Sequence, residues 1–181
     1  MIIGFSGKMG VGKSTAVKRI LEKNAGIGPG NVVGLRFAKG VYACAEAVFQ
    51  TCGLKFEKEK ARGLLQYIGT DWGRAMFGED FWVNRWKKAV AQELLLGRHV
   101  VVEDVRFNNE AEAIKSMGGR IIHIDGKEDN AGVARGGIEG HASEAGIDPK
   151  YIDATISNKG TERAFLAKVD KLWSDVEDGW V

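Results

Sequence analysis

Proline, cysteine and long apolar runs are scarce in this sequence of 181 residues. Two prolines and 25 glycines, without a repeating Gly-X-Y pattern, exclude a collagen-like chain. No apolar run approaches the roughly 18 residues that a membrane-spanning helix needs. Residues 1–7 carry neither a basic region nor a long apolar stretch, so we expect no secretory signal there.

The two cysteines and the charge balance further narrow the class of protein. Cys44 and Cys52 lie in one predicted helix, too far apart along it to form a disulfide. We interpret them as buried thiols of a cytoplasmic protein. The 26 basic and 24 acidic residues are mixed along the chain and give a net charge of +2. That pattern lacks the basic stripe of a nucleic-acid-binding surface, although a few placed cations can still hold a small anion.

Apolar, β-branched runs alternate with helical patterns along the chain. Helical spacing of apolar residues is clearest over Thr161–Val176, and another predicted helix is expected to end before Gly69. The alternation predicts one domain over residues 1–181, a three-layer α/β fold with a mostly parallel five-stranded sheet. Ligands bind such sheets at the carboxyl ends of the strands. The predicted strands are Met1–Ser6, Val32–Phe37, His99–Val105, Arg120–Asp125 and Asp153–Ser157.

The strongest motif follows the first predicted strand directly. It fits G-x-x-x-x-G-K-[ST] between a strand and an amphipathic helix, which is the pattern of a phosphate-binding loop. Glycines let backbone N–H groups turn toward a phosphate, and the helix start adds partial positive charge. We predict that the loop binds ATP, with Lys13 on the β- and γ-phosphates and the Ser14 hydroxyl on Mg²⁺. The loop residues are Gly7, Lys8, Met9, Gly10, Val11, Gly12, Lys13, Ser14 and Thr15.

A phosphate loop alone does not define the reaction. A GTPase typically carries N-K-x-D after a late strand, whereas this chain has Asn158, Lys159, Gly160 and Thr161 there, without the aspartate. A small-molecule kinase fits the length better than a motor or transporter ATPase. A non-catalytic nucleotide-binding regulatory module and a nucleic-acid-associated ATPase are the alternatives from other classes.

Charged residues suited to a kinase follow the third predicted strand. Asp104 is placed to orient Mg²⁺ or to accept a hydrogen bond from the acceptor nucleotide. Arg106 is able to bind a phosphate with two hydrogen bonds. Glu110 lies one turn into the next helix. The alternative interpretation is a surface ion-pair cluster without a ligand.

A second group of polar residues shares one face of a predicted helix. Arg62, Gln66 and Thr70 are spaced by four residues. An arginine, an amide and a hydroxyl on one face are able to hold a phosphate and read a base edge. By spacing alone, a solvated helix face explains them better than a binding site does.

Five further motifs, in a fixed order, resemble the bacteriophage-type deoxynucleoside monophosphate kinases. With the phosphate loop in front, they cover most of the chain from 64 to 158. The resemblance implies a P-loop kinase fold that moves the γ-phosphoryl group of ATP onto a deoxynucleoside monophosphate, with Mg²⁺. The motifs lie at Leu65–Asp71, Phe81–Val83, Asp104–Glu110, Met117–Ile124 and His141–Gly146.

The resemblance also implies residue roles. We name Lys13, Arg62, Asp104 and Arg106 as catalytic residues, and Ser14 and Asp104 as metal ligands. The predicted acceptor site consists of Phe37, Lys39, Arg62, Gln66, Gly69, Thr70, Trp82, Asp104, Arg106 and Glu110.

A glycine-rich segment over about 126–146 is a candidate lid. Arg135 is predicted to clamp the ATP phosphates, with His141 and Glu144 fixing the hinge; an ordinary loop is the alternative. The family resemblance suggests a homodimer, located in the host cytoplasm if the chain is phage-encoded. Another small P-loop kinase, of the dephospho-coenzyme A or shikimate type, is the nearest enzymatic alternative.

Overall fold

A parallel sheet forms the centre of the protein. The computed structural model describes residues 1–24, 31–126 and 146–179. Within them, five parallel strands lie in the order β2-β3-β1-β4-β5, which confirms the predicted sheet. The strands are β1 (Ile2–Ser6), β2 (Val32–Gly34), β3 (His99–Val102), β4 (Arg120–Gly126) and β5 (Ala154–Asn158).

Helices connect these strands and cover both faces of the sheet. A π-helix over Ile68–Arg74 continues α3 directly into α4, and a 3₁₀ turn over Pro149–Tyr151 precedes β5. The α-helices are α1 (Lys13–Lys23), α2 (Lys39–Thr51), α3 (Arg62–Tyr67), α4 (Ala75–Phe77), α5 (Phe81–Leu95), α6 (Asn108–Ser116) and α7 (Glu162–Glu177).

Strand side chains alternate between two apolar cores. Successive residues of a strand point to opposite faces of a sheet. Ile3 and Phe5 of β1 are fully buried and pack with α1 and α7, whereas Ile2 packs with α5 and α6. Both faces of the sheet are therefore covered, and the three-layer α/β prediction is confirmed.

A third, smaller core lies beside the sheet. Val41 and Ala45 of α2 pack with Ile68 of the π-helix and Trp82 of α5, and all four are buried. This cluster fixes α2 against the continuous helical segment of residues 62–77.

The predicted helix end before Gly69 is wrong. The chain continues from α3 through the π-helix to Phe77. The Gly69 carbonyl accepts a hydrogen bond of 2.9 Å from Trp82 Nε1. Packing against Trp82 thus overrides the tendency of glycine to end a helix.

Two predicted strands end early. β2 ends at Gly34 and β3 at Val102, each before its predicted end. Beyond β2, the amides of Phe37 and Ala38 donate to the Asp104 carboxylate, at 3.1 and 3.0 Å, instead of to a neighbouring strand. The carboxylate therefore ends the ladder where the cleft begins.

Three other expectations have different outcomes. Cys44 is half-buried but Cys52 is exposed, so the expected burial is wrong for Cys52; both are free thiols. The predicted lid, with His141 and Glu144, lies almost entirely outside the described residues. Among those residues, no helix is both long and apolar enough to cross a membrane.

Candidate active site

The phosphate-loop motif forms a tight turn between β1 and α1. Gly7 and Gly12 have φ angles of 130° and 104°, a region that favours glycine. A Cβ at Gly7 would lie 2.6 Å from the carbonyl oxygen of Ile124, and one at Gly12 would lie 2.6 Å from Asn158 Nδ2. Both positions therefore need glycine for conformation and for space, which explains the spacing of the motif.

Lys13 folds back onto this loop. Its Nζ donates to the carbonyl oxygens of Gly7 and Lys8, both at 2.6 Å. Burial, together with the nearby Arg106, lowers the pKa of Lys13 to about 8, against the opposing effect of two carboxylates. The ammonium group is thus held at the loop, where a bound anion would stabilise its partly buried charge.

A cleft of about 500 Å³ opens where β1, β2 and β3 end. Parallel strands present their carboxyl ends at one edge of the sheet, so the three following loops meet there. Most predicted site residues line this cleft: Met9, Gly10, Gly12, Lys13, Ser14, Thr15, Phe37, Arg62, Gln66, Gly69, Thr70, Trp82, Asp104, Arg106 and Glu110.

The remaining predicted residues lie elsewhere. Gly7, Lys8 and Val11 belong to the loop but not to the cleft lining. Lys39 is exposed in the first turn of α2 and does not line the cleft, so its contact with the acceptor stays a prediction. Arg135 falls outside the described residues.

Asp104 connects the end of β3 to the start of α2. Each carboxylate oxygen accepts one backbone N–H, from Phe37 and from Ala38. Burial raises the pKa of Asp104, while these two hydrogen bonds and the guanidinium of Arg106 oppose the rise. The carboxylate therefore shapes the cleft wall, whatever further contact it makes.

Glu110 makes more contacts within the protein than its predicted role in acceptor binding requires. Its side chain is buried and pairs with Arg74, Nη2 to Oε1, at 2.9 Å. Oε2 accepts the backbone N–H groups of Arg106 and Phe107, at 2.8 and 3.1 Å. The structure thus places Glu110 on protein partners, and contact with the acceptor stays a prediction.

Sequence reasoning missed several charged residues of the cleft. Arg36 follows β2 and pairs with Glu103, which follows β3. Arg74 extends the four-residue series of Arg62 and Thr70, but the expected helix end before Gly69 concealed it. For Arg36 and Glu103, the position near the end of a predicted strand was the sequence feature that could have indicated the site.

The donor set offers little to a bare metal ion. In the part of the chain that the structure describes, no group of three or more His, Cys, Asp or Glu side chains is placed to hold one. Ser14 is exposed at the start of α1 and shares the cleft with Asp104. Mg²⁺ usually binds through one or two protein oxygens together with substrate phosphates, and this pair suits that mode.

The sheet, the loop and the cleft define a P-loop kinase fold. The dephospho-CoA kinase of Campylobacter jejuni has a TM-score of 0.53 over 99% of this chain and 98% of that chain, at 16% identity. A shikimate kinase from Bacteroides thetaiotaomicron has a TM-score of 0.50 over 98% of both chains, at 13% identity. At these identities the likeness shows the fold alone.

The family is shown by sequence. The profile of the deoxynucleotide monophosphate kinases matches residues 38–169, and the chain belongs to this family. It is therefore a nucleoside monophosphate kinase. The match begins after the phosphate loop, so the loop and the profile are separate observations.

Viral relatives agree with the profile. A putative deoxynucleotide monophosphate kinase from Acanthamoeba polyphaga mimivirus is 27% identical over 93% of this chain and 94% of its own. The deoxynucleotide monophosphate kinase of Escherichia phage RB69 is 30% identical over 61% of this chain. The alignment covers 43% of that phage protein, so the chain corresponds to less than half of its length.

Proposed function

We propose that the protein transfers the γ-phosphoryl group of ATP to the 5′-phosphate of a deoxynucleoside monophosphate. Family membership supports the reaction class. The observation that carries the assignment is the shared cleft, which has the phosphate loop on one side and arginines on the other. Donor and acceptor phosphates would meet in this space.

The donor side suits ATP with Mg²⁺. The loop geometry leaves no room for Cβ atoms at Gly7 and Gly12, as expected where the backbone approaches an anion closely. On phosphate binding, Lys13 would exchange its two carbonyl partners for phosphate oxygens. Ser14 and Asp104 would hold Mg²⁺, which supplies positive charge to the donor phosphates.

The acceptor side suits a second phosphate. Arg62 Nη2 lies 3.5 Å from the Sδ atom of Met9, which places this guanidinium beside the phosphate loop. Within the described residues, the Arg106 side chain makes no ion pair, and it lines the cleft. A dianionic phosphate would be bound by such placed arginines with paired hydrogen bonds.

The proposed mechanism is direct, in-line transfer. An acceptor phosphate oxygen attacks the γ-phosphorus, that bond forms as the bond to the bridging oxygen of ADP breaks, and no general base is required. Catalysis then depends on positioning and on neutralising charge, by Lys13, Arg62 and Arg106. Arg135 is a further proposed contributor from the segment outside the described residues.

A coupled ADP-release assay with ATP and Mg²⁺ tests the function. We expect turnover with deoxynucleoside monophosphates, in a panel that also contains ribonucleoside monophosphates, dephospho-coenzyme A and shikimate. Turnover with either of the last two compounds, or with no acceptor in the panel, would contradict the proposal.

Removing the loop lysine tests the mechanism. We expect Lys13→Ala to lower kcat by about 10²–10³-fold, because one preorganised charge on the transferred group is lost. Lys18→Ala is the matched control, since Lys18 lies on α1 with its side chain 76% exposed. Near-normal turnover of Lys13→Ala would refute the proposed charge stabilisation.

A further inference from the structure

Arg74 lies buried in the wall of the cleft, with its side chain only 5% exposed. Besides its pair with Glu110, it donates through Nη1 to the Glu79 carbonyl at 3.1 Å and to Asn109 Oδ1 at 3.3 Å. Its guanidinium carbon lies 3.9 Å from the centre of the Phe107 ring. Several contacts therefore hold this arginine in one orientation.

The Glu110 carboxylate connects Arg74 to a neighbouring segment of main chain. Oε1 accepts from Arg74, and Oε2 accepts from the N–H groups of Arg106 and Phe107. Phe107 is the N-cap of α6, and Glu110 lies in the first turn of that helix. The backbone that carries the Arg106 guanidinium is thus anchored, through one carboxylate, to Arg74.

The π-helix explains why Arg74 faces the cleft. In an uninterrupted α-helix each residue turns by about 100°, so Arg74 would face roughly 120° away from Arg62. The i→i+5 bonding of a π-helix turns the chain less per residue and removes most of that difference. Arg62, Gln66, Thr70 and Arg74 accordingly all line the cleft. Such π segments are frequent at functional sites.

We propose that Arg74 is a positioning residue for the acceptor: through Glu110, it fixes the main chain of Arg106 so that this guanidinium meets the acceptor phosphate. The inference rests on the proposed function, because it assigns Arg106 to the acceptor. It differs from a purely structural role, in which Arg74 would stabilise the fold without affecting acceptor binding selectively.

Amide hydrogen exchange tests the positioning without turnover. Arg74→Lys keeps the positive charge but loses the planar guanidinium group, so the interaction with the Glu110 carboxylate weakens. We expect the Arg106 and Phe107 amides to exchange about tenfold faster in this variant, measured by NMR on the unliganded protein. The measurement is made at about pH 8, because burial raises the pKa of Glu110 to about 7.

A matched control replaces another arginine that pairs with a carboxylate, outside the cleft. Arg19 donates from Nε and Nη2 to the Asp170 carboxylate, at 2.9 and 2.8 Å, and does not line the cleft. Arg19→Lys should leave the exchange of the Arg106 and Phe107 amides unchanged. Equal exchange in wild type and Arg74→Lys, or equal acceleration by both variants, would overturn the inference.

Steady-state kinetics test the consequence for the acceptor. We expect Arg74→Lys to raise KM for the deoxynucleoside monophosphate about tenfold while KM for ATP changes less than about twofold. In a Glu110→Gln background, Arg74→Lys should raise KM for the deoxynucleoside monophosphate by less than about twofold, since both substitutions act through the same contact between Arg74 and Glu110. Equal effects on both KM values would indicate a structural role and overturn the inference. Wild-type protein without acceptor-dependent turnover would refute the proposed function, while the exchange data would still decide the anchoring of Arg106.

Discussion

Glu110 combines a buried position with a charged partner. Burial, together with the nearby Asp104, raises the pKa of Glu110 from 4.5 to about 7, against the opposing effects of the Arg74 charge and two backbone N–H donors. In the folded protein this carboxyl group therefore holds its proton more tightly than in the unfolded chain. Folding stability must then depend on pH through this group.

The sign of that dependence follows from the proton count. Between about pH 4.5 and 7 the folded state binds more protons at Glu110 than the unfolded state, so the contribution of Glu110 to the unfolding free energy falls as pH rises. We expect the stability difference between wild type and Glu110→Gln to fall by on the order of 3 kcal/mol across this window. Urea denaturation at several pH values measures it.

An exposed glutamate provides the control for this titration. Glu22 is 58% exposed and pairs with Lys18 one turn away on α1. The difference between wild type and Glu22→Gln should stay small throughout this pH series, because an exposed, solvent-screened pair contributes little to folding stability. A flat difference for Glu110→Gln as well would show that burial does not raise this pKa.

Trp82 explains the course of the π-helix. Its indole N–H donates to the Gly69 carbonyl, and its ring covers Gly73 one turn later. A Cβ at Gly73 would clash with Trp82 Nε1 and would lie 2.8 Å from the Ile68 carbonyl oxygen. The contact between the π-helix and α5 therefore requires the absence of a side chain at Gly73.

Two glycine substitutions separate packing from helix propensity. We expect Gly73→Ala to lower the unfolding free energy by about 1–3 kcal/mol, because the added methyl group forces Trp82 to move. Gly63→Ala in α3 should instead raise it by about 0.5–1 kcal/mol, since nothing lies within 4 Å of the Cβ position. Chemical denaturation compares them, and equal effects of the two variants would contradict this account.

Local patterns predict the regular elements well. Apolar runs identify all five strands to within a few residues. The clearest runs are those of β1 and β3, which are almost entirely buried, because strands covered on both faces need continuous apolar sequence. The π-helix was not predictable in this way. It depends on the long-range contact between Gly69 and Trp82, and the glycine itself indicates the opposite, a helix end.

The site was predictable to the extent that it depends on local motifs. Lys13 and Arg106 lie in short patterns that follow strands, and the sheet brings both to the cleft. The pair of Arg74 with Glu110 joins residues from distant elements, so no spacing indicates it. The exposed position of Lys39 likewise depends on how α2 packs.

Ligand binding should be visible in the stability of the whole protein. A ligand that binds only the folded state stabilises by about 2.7 kcal/mol at a hundredfold excess over Kd, or roughly 5–10 °C in Tm for a chain of this size. We expect that shift with ATP and Mg²⁺, measured by thermal unfolding.

Two comparisons make the thermal shift specific. Adenosine lacks the phosphates, so it should produce little shift, and Lys13→Ala should reduce the shift caused by ATP. An equal shift with adenosine would contradict phosphate recognition by the loop.

The central position of β1 also has a consequence for synthesis on the ribosome. Ile2 pairs with Val100 and Phe5 pairs with Ile122, so the strand that carries the phosphate loop leaves the ribosome long before either neighbour. Its fully buried residues stay without strand partners until β3 and β4 emerge. Parallel pairing over such separations forms slowly and leaves apolar strands open to aggregation. Nascent chains that stop before β3 should therefore depend on chaperones for as long as β1 lacks its partners.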